Sequence, residues 1–291
     1  MNEKMNPMTN IVELQGMLMN NTLEVRTDKN GRKLIGGTLE INTGTESEEC
    51  IVPIECMQYE LKKDGTRNAL YDRHVSMLEW PSAAKCGKID AVSVSINRGE
   101  ITDGSFYSQQ TNKLIEGWRV RAVFVDQATK LAPRNNSFSI QGVVDSVKEI
   151  TNADGEPTGE LKVDLLTLAF GERVVKVPMY VLNKEGIKYI ETNWTPGDLV
   201  TAYGEISYEQ KTTEIVQETA FGSGTVKKYT DVIKRLIISS GTSAKGEDEH
   251  SYGRNKLSSL RAAALKDIEE RFLANRAVSA TNESKSPYLD F

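Results

Sequence analysis

The sequence predicts a mainly β protein: two small barrels in tandem, then an amphipathic helix and a flexible tail. Three observations predict it. Leu14-Gln15-Gly16 returns as Ile140-Gln141-Gly142, and Val52-Pro53 returns as Val177-Pro178, at offsets of 126 and 125 residues. The paired landmarks enclose the same order of parts: an apolar strand, a charged turn with glycine (Lys29-Asn30-Gly31-Arg32, then Asp154-Gly155-Glu156) and two further strands. Self-similarity at a fixed spacing marks one unit used twice. The 291 residues also suffice for two cores near the usual domain size of about 100–150.

Composition narrows the function. Hydrophobic residues make up 38% and charged residues 26%, as in a soluble globular protein. No run of about 18 apolar residues occurs and the N-terminus lacks an apolar signal core, so no membrane span and a cytoplasmic location are expected. The net charge of −5 argues against a protein that coats duplex DNA through bulk positive charge, but leaves room for a basic groove. Cys50, Cys56 and Cys86 form no CxxC pair, so buried reduced thiols are expected rather than a disulfide or a zinc site. The two histidines, His74 and His250, stand apart from the cysteines, which removes most metal-ligand sets and nucleophile pairs. Gly222-Ser223-Gly224-Thr225-Val226-Lys227-Lys228 lacks the spacing of a phosphate loop. No cofactor, metal or enzymatic activity is expected.

The second unit is the more regular. Phe138 to Lys148 alternates apolar and polar residues, the mark of a half-buried strand. Asn152 to Gly155 turns the chain, and Leu161 to Phe170 and Arg173 to Val181 make two more strands. Asn183 to Asn193 suits a short helix. Pro196-Gly197-Asp198 opens a fourth strand over Leu199 to Ile206, and Tyr229 to Ser239 supplies a fifth after a long polar stretch. Three strands, a helix and two strands is the order of the OB-fold, a small Greek-key barrel whose closure removes free strand edges. Gly197 would make the opening turn, and Gly204 would permit the sharp coiling that closes a small barrel.

The first unit reads as a looser copy. Asn10 to Met19, Arg32 to Asn42 and Glu49 to Met57 match the first three strands, and Gly117 followed by Trp118 to Val125 reads as the fourth. From Val-Pro to that glycine there are 64 residues here against 19 in the second unit, which implies an insertion of roughly 45 residues. Asp90 to Ile96 within it must be an added or substitute strand, and the fifth strand stays unplaced. The expected divisions are 1–132 (first barrel, insertion about 57–100), 133–240 (second barrel), 241–278 (polar connector and helix) and 279–291 (flexible tail). In the helix, Leu257, Leu260, Ala264, Leu265, Ile268, Phe272 and Leu273 recur at helical spacing.

Two phrases carry a family resemblance. Pro196-Gly197-Asp198-Leu199-Val200-Thr201-Ala202-Tyr203-Gly204-Glu205-Ile206 resembles the fourth-strand phrase of bacterial single-stranded DNA-binding proteins. The ending Pro287-Tyr288-Leu289-Asp290-Phe291 resembles the acidic, phenylalanine-terminated tip of that family, although Asp290 stands where the family has proline and Lys285 dilutes the charge. The resemblance implies a non-enzymatic protein of bacteriophage type, acting in the cytoplasm of a bacterial host. It would bind single-stranded DNA without sequence preference, self-associate through the helix, and recruit replication or recombination proteins through Tyr288, Leu289, Asp290 and Phe291.

Single strands are held by flat rings for the bases and cations for the phosphates. Trp118, Arg119 and Arg121 interleave both, with the arginines on one face and Trp118 and Val120 on the other, so the indole can equally belong to the core. The loop between strands one and two carries Arg26, Lys29, Arg32 and Lys33. The stretch joining strands four and five carries Lys227, Lys228, Tyr229, Lys234 and Arg235. Tyr180 and Tyr203 lie on strands of the second barrel. Tyr59, Tyr71, Arg73, Trp80, Phe106 and Tyr107 could form a further stacking surface or simple packing anchors. The alternative function is a structural or adaptor protein, such as a virion component, that uses the same barrels to bind protein. A nuclease would require clustered carboxylates holding magnesium.

Overall fold

The computed structural model describes residues 6–45, 48–130, 133–217 and 225–283, with 210–217, 225–231 and 275–283 described by their backbone alone. In chain order the elements are β1 (Asn10–Asn21), β2 (Glu24–Thr27), β3 (Lys33–Asn42), β4 (Ile51–Tyr59), α1 (Ala69–Ser76), α2 (Ala83–Cys86), β5 (Ser93–Asp103), β6 (Phe106–Ser108), β7 (Lys113–Ile115), β8 (Trp118–Ala122) and β9 (Asp126–Ala128). Then follow β10 (Asn135–Thr151), β11 (Pro157–Ala169), β12 (Arg173–Val181), α3 (Lys184–Asn193), β13 (Leu199–Gln217), β14 (Thr225–Gly241) and α4 (Arg254–Glu283).

Two circuits of strands close. In the first, β1 pairs with β3 and β5, β3 with β4, β4 with β8 in parallel, and β8 with β5. In the second, β10 pairs with β11 and β13, β11 with β12, β12 with β14 in parallel, and β14 with β13. Both circuits follow the OB order, with α1 or α3 between the third and fourth strands. Alternation fills them: in β1, Val12, Leu14 and Leu18 point inward and are buried, as are Phe138, Ile140 and Val144 in β10. Asn68 and Asn183 cap the two helices, each accepting a hydrogen bond from a first-turn amide.

The barrels join through their first strands. β1 and β10 pair antiparallel with Asn10 opposite Ile140, Val12 opposite Phe138 and Leu14 opposite Asn136. At the offset of 126, Val12 corresponds to Phe138, so the pairing is symmetric about a residue and its own copy. This is the isologous geometry of a twofold dimer, built within one chain.

The same symmetry corrects the reading of the first unit. Val12 pairs with Gly99 as Phe138 pairs with Gly204, so β5 is the fourth strand and Gly99-Glu100-Ile101 repeats Gly204-Glu205-Ile206. The Trp118 phrase is therefore the missing fifth strand, and the segment taken for an insertion holds α1, α2 and the barrel's own fourth strand. One clip is duplicated too: Asn10 Nδ2 donates to the Ile101 carbonyl (2.8 Å) and Asn136 Nδ2 to the Ile206 carbonyl (2.9 Å).

At Gly204 the strands approach so closely that a Cβ would stand 1.9 Å from the Ile237 carbonyl oxygen and 2.9 Å from the Phe138 ring. Gly204→Ala is expected to destabilise the protein by about 1–3 kcal/mol, as overpacking does, with a matching fall in the urea midpoint. Gly197 has φ of +107°, the left-handed turn anticipated before the fourth strand.

Other expectations need adjusting. The polar stretch after Ile206 is no loop: β13 and β14 continue as a paired ribbon out to Gln217 and Thr225. Cys56 is buried, and burial pushes its thiol up to about 12, but Cys50 is only half-buried and Cys86 is exposed. The helix α4 runs past the expected end at 278 to Glu283. Its docked stripe holds Leu257 and, unexpectedly, Arg261, whereas Leu260 and Leu273 face outward. Leu257 packs with Met8, Val143, Leu166 and Tyr252 on the outside of the second barrel. Further along, Phe272 stacks on Tyr107 with ring centroids 4.4 Å apart, joining the helix to the β6–β7 hairpin of the first barrel. Among the described residues no helix is long and apolar enough to cross a membrane, and no group of His, Cys, Asp and Glu is arranged to hold a metal ion. Residues Tyr288 to Phe291 lie outside the described residues.

Candidate nucleic-acid interface

The β2–β3 hairpin of the first barrel ends in a self-bonded tip. Asp28 Oδ1 accepts hydrogen bonds from the amides of Asn30 and Arg32 (2.9 Å each), and the Arg32 side chain returns to Asp28 Oδ2. These bonds, led by the Arg32 amide, hold the Asp28 carboxyl below the usual carboxylate range. The Arg32 guanidinium is thereby laid over the Tyr59 ring, 4.4 Å from its centroid. Beside this pair opens a cleft of about 510 Å³ lined by Arg32, Lys33, Tyr59, Lys62 and Lys63, with Glu60 as its acidic member. Lys33 stands 3.6 Å from Glu60, so the cleft keeps an excess of positive charge. Lys29 is exposed at the tip, and Arg26 is exposed but paired with Glu24 at 2.5 Å.

The second group lies where the ribbon of the second barrel meets β8 of the first. Trp118 is 2% exposed, so its ring offers no free face to a base and belongs to the core. It meets Tyr208 edge-on at 6.1 Å, and the Lys234 ammonium lies 4.8 Å from its ring centroid. Lys234 donates to the Trp118 carbonyl, and burial, helped by nearby Arg119, lowers its pKa. Lys234 is thus part of the joint between barrels, not a free cation. Arg119 is exposed but ion-paired with Glu55. Arg235 lies over the Tyr180 ring at 5.1 Å and reaches both oxygens of Glu160 at 3.2 Å. Tyr203 is 40% exposed on β13. Lys227, Lys228 and Tyr229 stand on β14 opposite Ile215, Glu214 and Thr213, and their side chains lie outside the description.

The sequence-predicted residues therefore do not form one site: Arg235 and Tyr180 make a pair of their own, Tyr203 stands on β13, Lys227, Lys228 and Tyr229 stand on β14, and the others fall into three places. Arg26, Lys29, Arg32 and Lys33 gather at one hairpin. Trp118, Arg119 and Lys234 gather at the joint. Arg121 lies apart from both, in a groove with Arg98, Phe124 and Phe170. Of the further aromatic residues, Tyr71 is buried, Trp80 packs on the core and Tyr107 is engaged by Phe272. Tyr59 reads from sequence as a stacking residue or packing anchor, whereas Lys62 and Lys63 of the cleft were not assigned. The signal for them was a cationic turn directly after the third strand, at the position that faces the hairpin tip.

A family model described as YorF matches residues 9–272. Among solved structures, the wild-type single-stranded DNA binding protein from Thermus aquaticus is similar over 85% of this chain and 98% of its own, with 12% identity and a TM-score of 0.52. A deletion mutant of the same Thermus aquaticus protein covers 82% of this chain and 96% of its own, with 13% identity and a TM-score of 0.48. At such identity the likeness to the wild-type protein shows a shared fold. No curated protein matches the chain.

Proposed function

This chain belongs to the YorF family, and we propose that it binds single-stranded DNA without sequence preference. The observation that carries the reading is an arginine laid over a tyrosine on the third strand of each barrel: Arg32 on Tyr59, and Arg235 on Tyr180. Each pair sets a flat ring beside a guanidinium that is itself ion-paired, Arg32 to Asp28 and Arg235 to Glu160, next to a hairpin or ribbon. A single strand presents unstacked base faces and phosphates, whereas a duplex hides the faces. The solved structure with the shared fold is, by its own description, a single-stranded DNA binding protein. Recruitment of replication or recombination proteins by Tyr288 to Phe291, self-association through the outward face of α4, and a place among bacteriophage counterparts belong to the same reading.

The test is a fluorescence-anisotropy titration with labelled oligo-dT. A label on the DNA is the right probe, since Trp118 and Trp194 are buried and poorly placed to report contact. Binding is expected at low salt. If Lys62 and Lys63, the cleft cations without an ion pair among the described residues, each neutralise one phosphate, raising salt from about 50 to 200 mM lowers the affinity roughly 7-fold. Tyr59→Ala and Tyr180→Ala are each expected to weaken binding by about 1–3 kcal/mol while leaving the melting temperature nearly unchanged. No binding at low salt would sink the proposal.

A further inference from the structure

The internal twofold creates two equivalent grooves, one at each end of the β1–β10 pair, and they have diverged. One, of about 750 Å³, is lined by Asn10, Gly99, Glu100, Arg98, Arg121, Phe124 and Phe170 among others. Its counterpart, of about 800 Å³, is lined by the equivalent Asn136 and Glu205, with Glu48, Glu49, Tyr208 and Glu209. Each is walled by the turn between the second and third strands of the opposite barrel. In the first groove that turn brings Phe170, whose amide donates to Glu100 Oε2 at 3.0 Å. In the second it brings Glu48 and Glu49, and the Cys50 thiol donates to the Ile206 carbonyl at 3.4 Å.

Their chemistry is opposite. Phe170 is 81% exposed and Phe124 46%, an unusual cost in water for two rings in one groove. A third arginine, Arg73, stands 5.7 Å from the Phe124 centroid while paired with Asp126. Arg98 and Arg121 have no ion-pair partner among the described residues and outnumber the one lining carboxylate, Glu100, whose Oε2 accepts from the Phe170 amide. In the counterpart Lys88 neutralises Glu49 at 2.6 Å, and among the described residues no lysine or arginine lines it. Bare rings beside unpaired guanidinium groups suit bases and phosphates, whereas a wall of carboxylates repels them.

We propose that the two halves are not equivalent binding units: single-stranded nucleic acid enters the Phe124–Phe170 groove and is excluded from the acidic one. This rests on the single-strand reading above and assigns it to one groove.

The experiment compares Phe124→Ala, Phe170→Ala and the double variant with the wild-type chain, using labelled oligo-dT. A triple variant, Glu48→Gln, Glu205→Gln and Glu209→Gln, probes the acidic groove. Each phenylalanine change is expected to weaken binding roughly 5- to 150-fold, and the triple variant to bind as tightly as wild type or more so. Thermal melts confirm folding, and bromodeoxyuridine photo-crosslinking of the wild-type chain is expected to label peptides containing Phe124 or Phe170. Wild-type affinity in the double phenylalanine variant, crosslinks confined to the acidic groove, or weaker binding by the triple variant overturns the assignment. A wild-type chain that does not bind at all overturns the single-strand reading itself.

Discussion

Trp118→Ala is expected to cost about 3–5 kcal/mol of stability, the range for removing a buried large aromatic. The ring is 2% exposed and lies under the Lys234 ammonium, with the edge of Tyr208 against it, so two residues of the second barrel meet on it. Its loss leaves a cavity and an ammonium in a half-buried site that retains only the Trp118 carbonyl as acceptor. Trp118→Phe is expected to restore most of the loss, because a smaller ring still fills the joint. Urea unfolding with two probes, one for each barrel, measures both values. A direct base contact would show the reverse pattern: intact stability with weakened oligonucleotide binding.

Arg261→Ala is the second large expected effect, about 3 kcal/mol, at the lower end for removing one partner of a buried ion pair. Arg261 is 4% exposed in the docked face of α4 and lies 2.9 Å from Asp103 and 3.2 Å from Glu116, with Ser105 Oγ accepting a hydrogen bond at 2.8 Å. The figure stays low because Glu116 is half-exposed. Without the guanidinium, Asp103 loses its partner and α4 is held on the first barrel chiefly by the Phe272–Tyr107 stack, so amides near 261–274 exchange faster. Burial opposes ionisation of Asp103, yet hydrogen bonds from Arg261 and Ser105 outweigh it and hold its pKa below the ordinary carboxylate value of about 3.9. Its contribution is therefore complete above that value and fades as pH falls through the lowered one. Acid-induced loosening of the helix, followed by hydrogen exchange, is expected in the wild-type chain and absent in Asp103→Asn.

The second barrel was legible in the sequence because its strands alternate cleanly and its glycines fall at turns. The first was half legible. The phrase around Trp118 resembled a fourth strand because it opens on glycine and alternates, but the register is fixed by Gly99, which lets β5 approach Val12 as Gly204 approaches Phe138. Three shared residues, Gly-Glu-Ile, marked the true copy, too short a phrase to outweigh a longer apolar one. In the helix, seven apolar residues suggested a broad stripe, and the buried arginine was invisible because its acidic partners come from residues more than 140 positions away. Among site residues, cationic turns could be found from composition alone. Which cations are already spent on Glu24, Asp28, Glu55, Glu160 or the Trp118 carbonyl depends on neighbours that only folding brings together.

The symmetric pairing of β1 with β10 also changes how the assembly responds to concentration. Two separate subunits joined by such strands would part on dilution, because their encounter is bimolecular. Here each strand finds its mate inside the same polypeptide, at an effective concentration set by the intervening chain. The twofold unit should consequently persist at the lowest copy numbers, and subunit exchange cannot blend one barrel with that of another molecule without unfolding the joint.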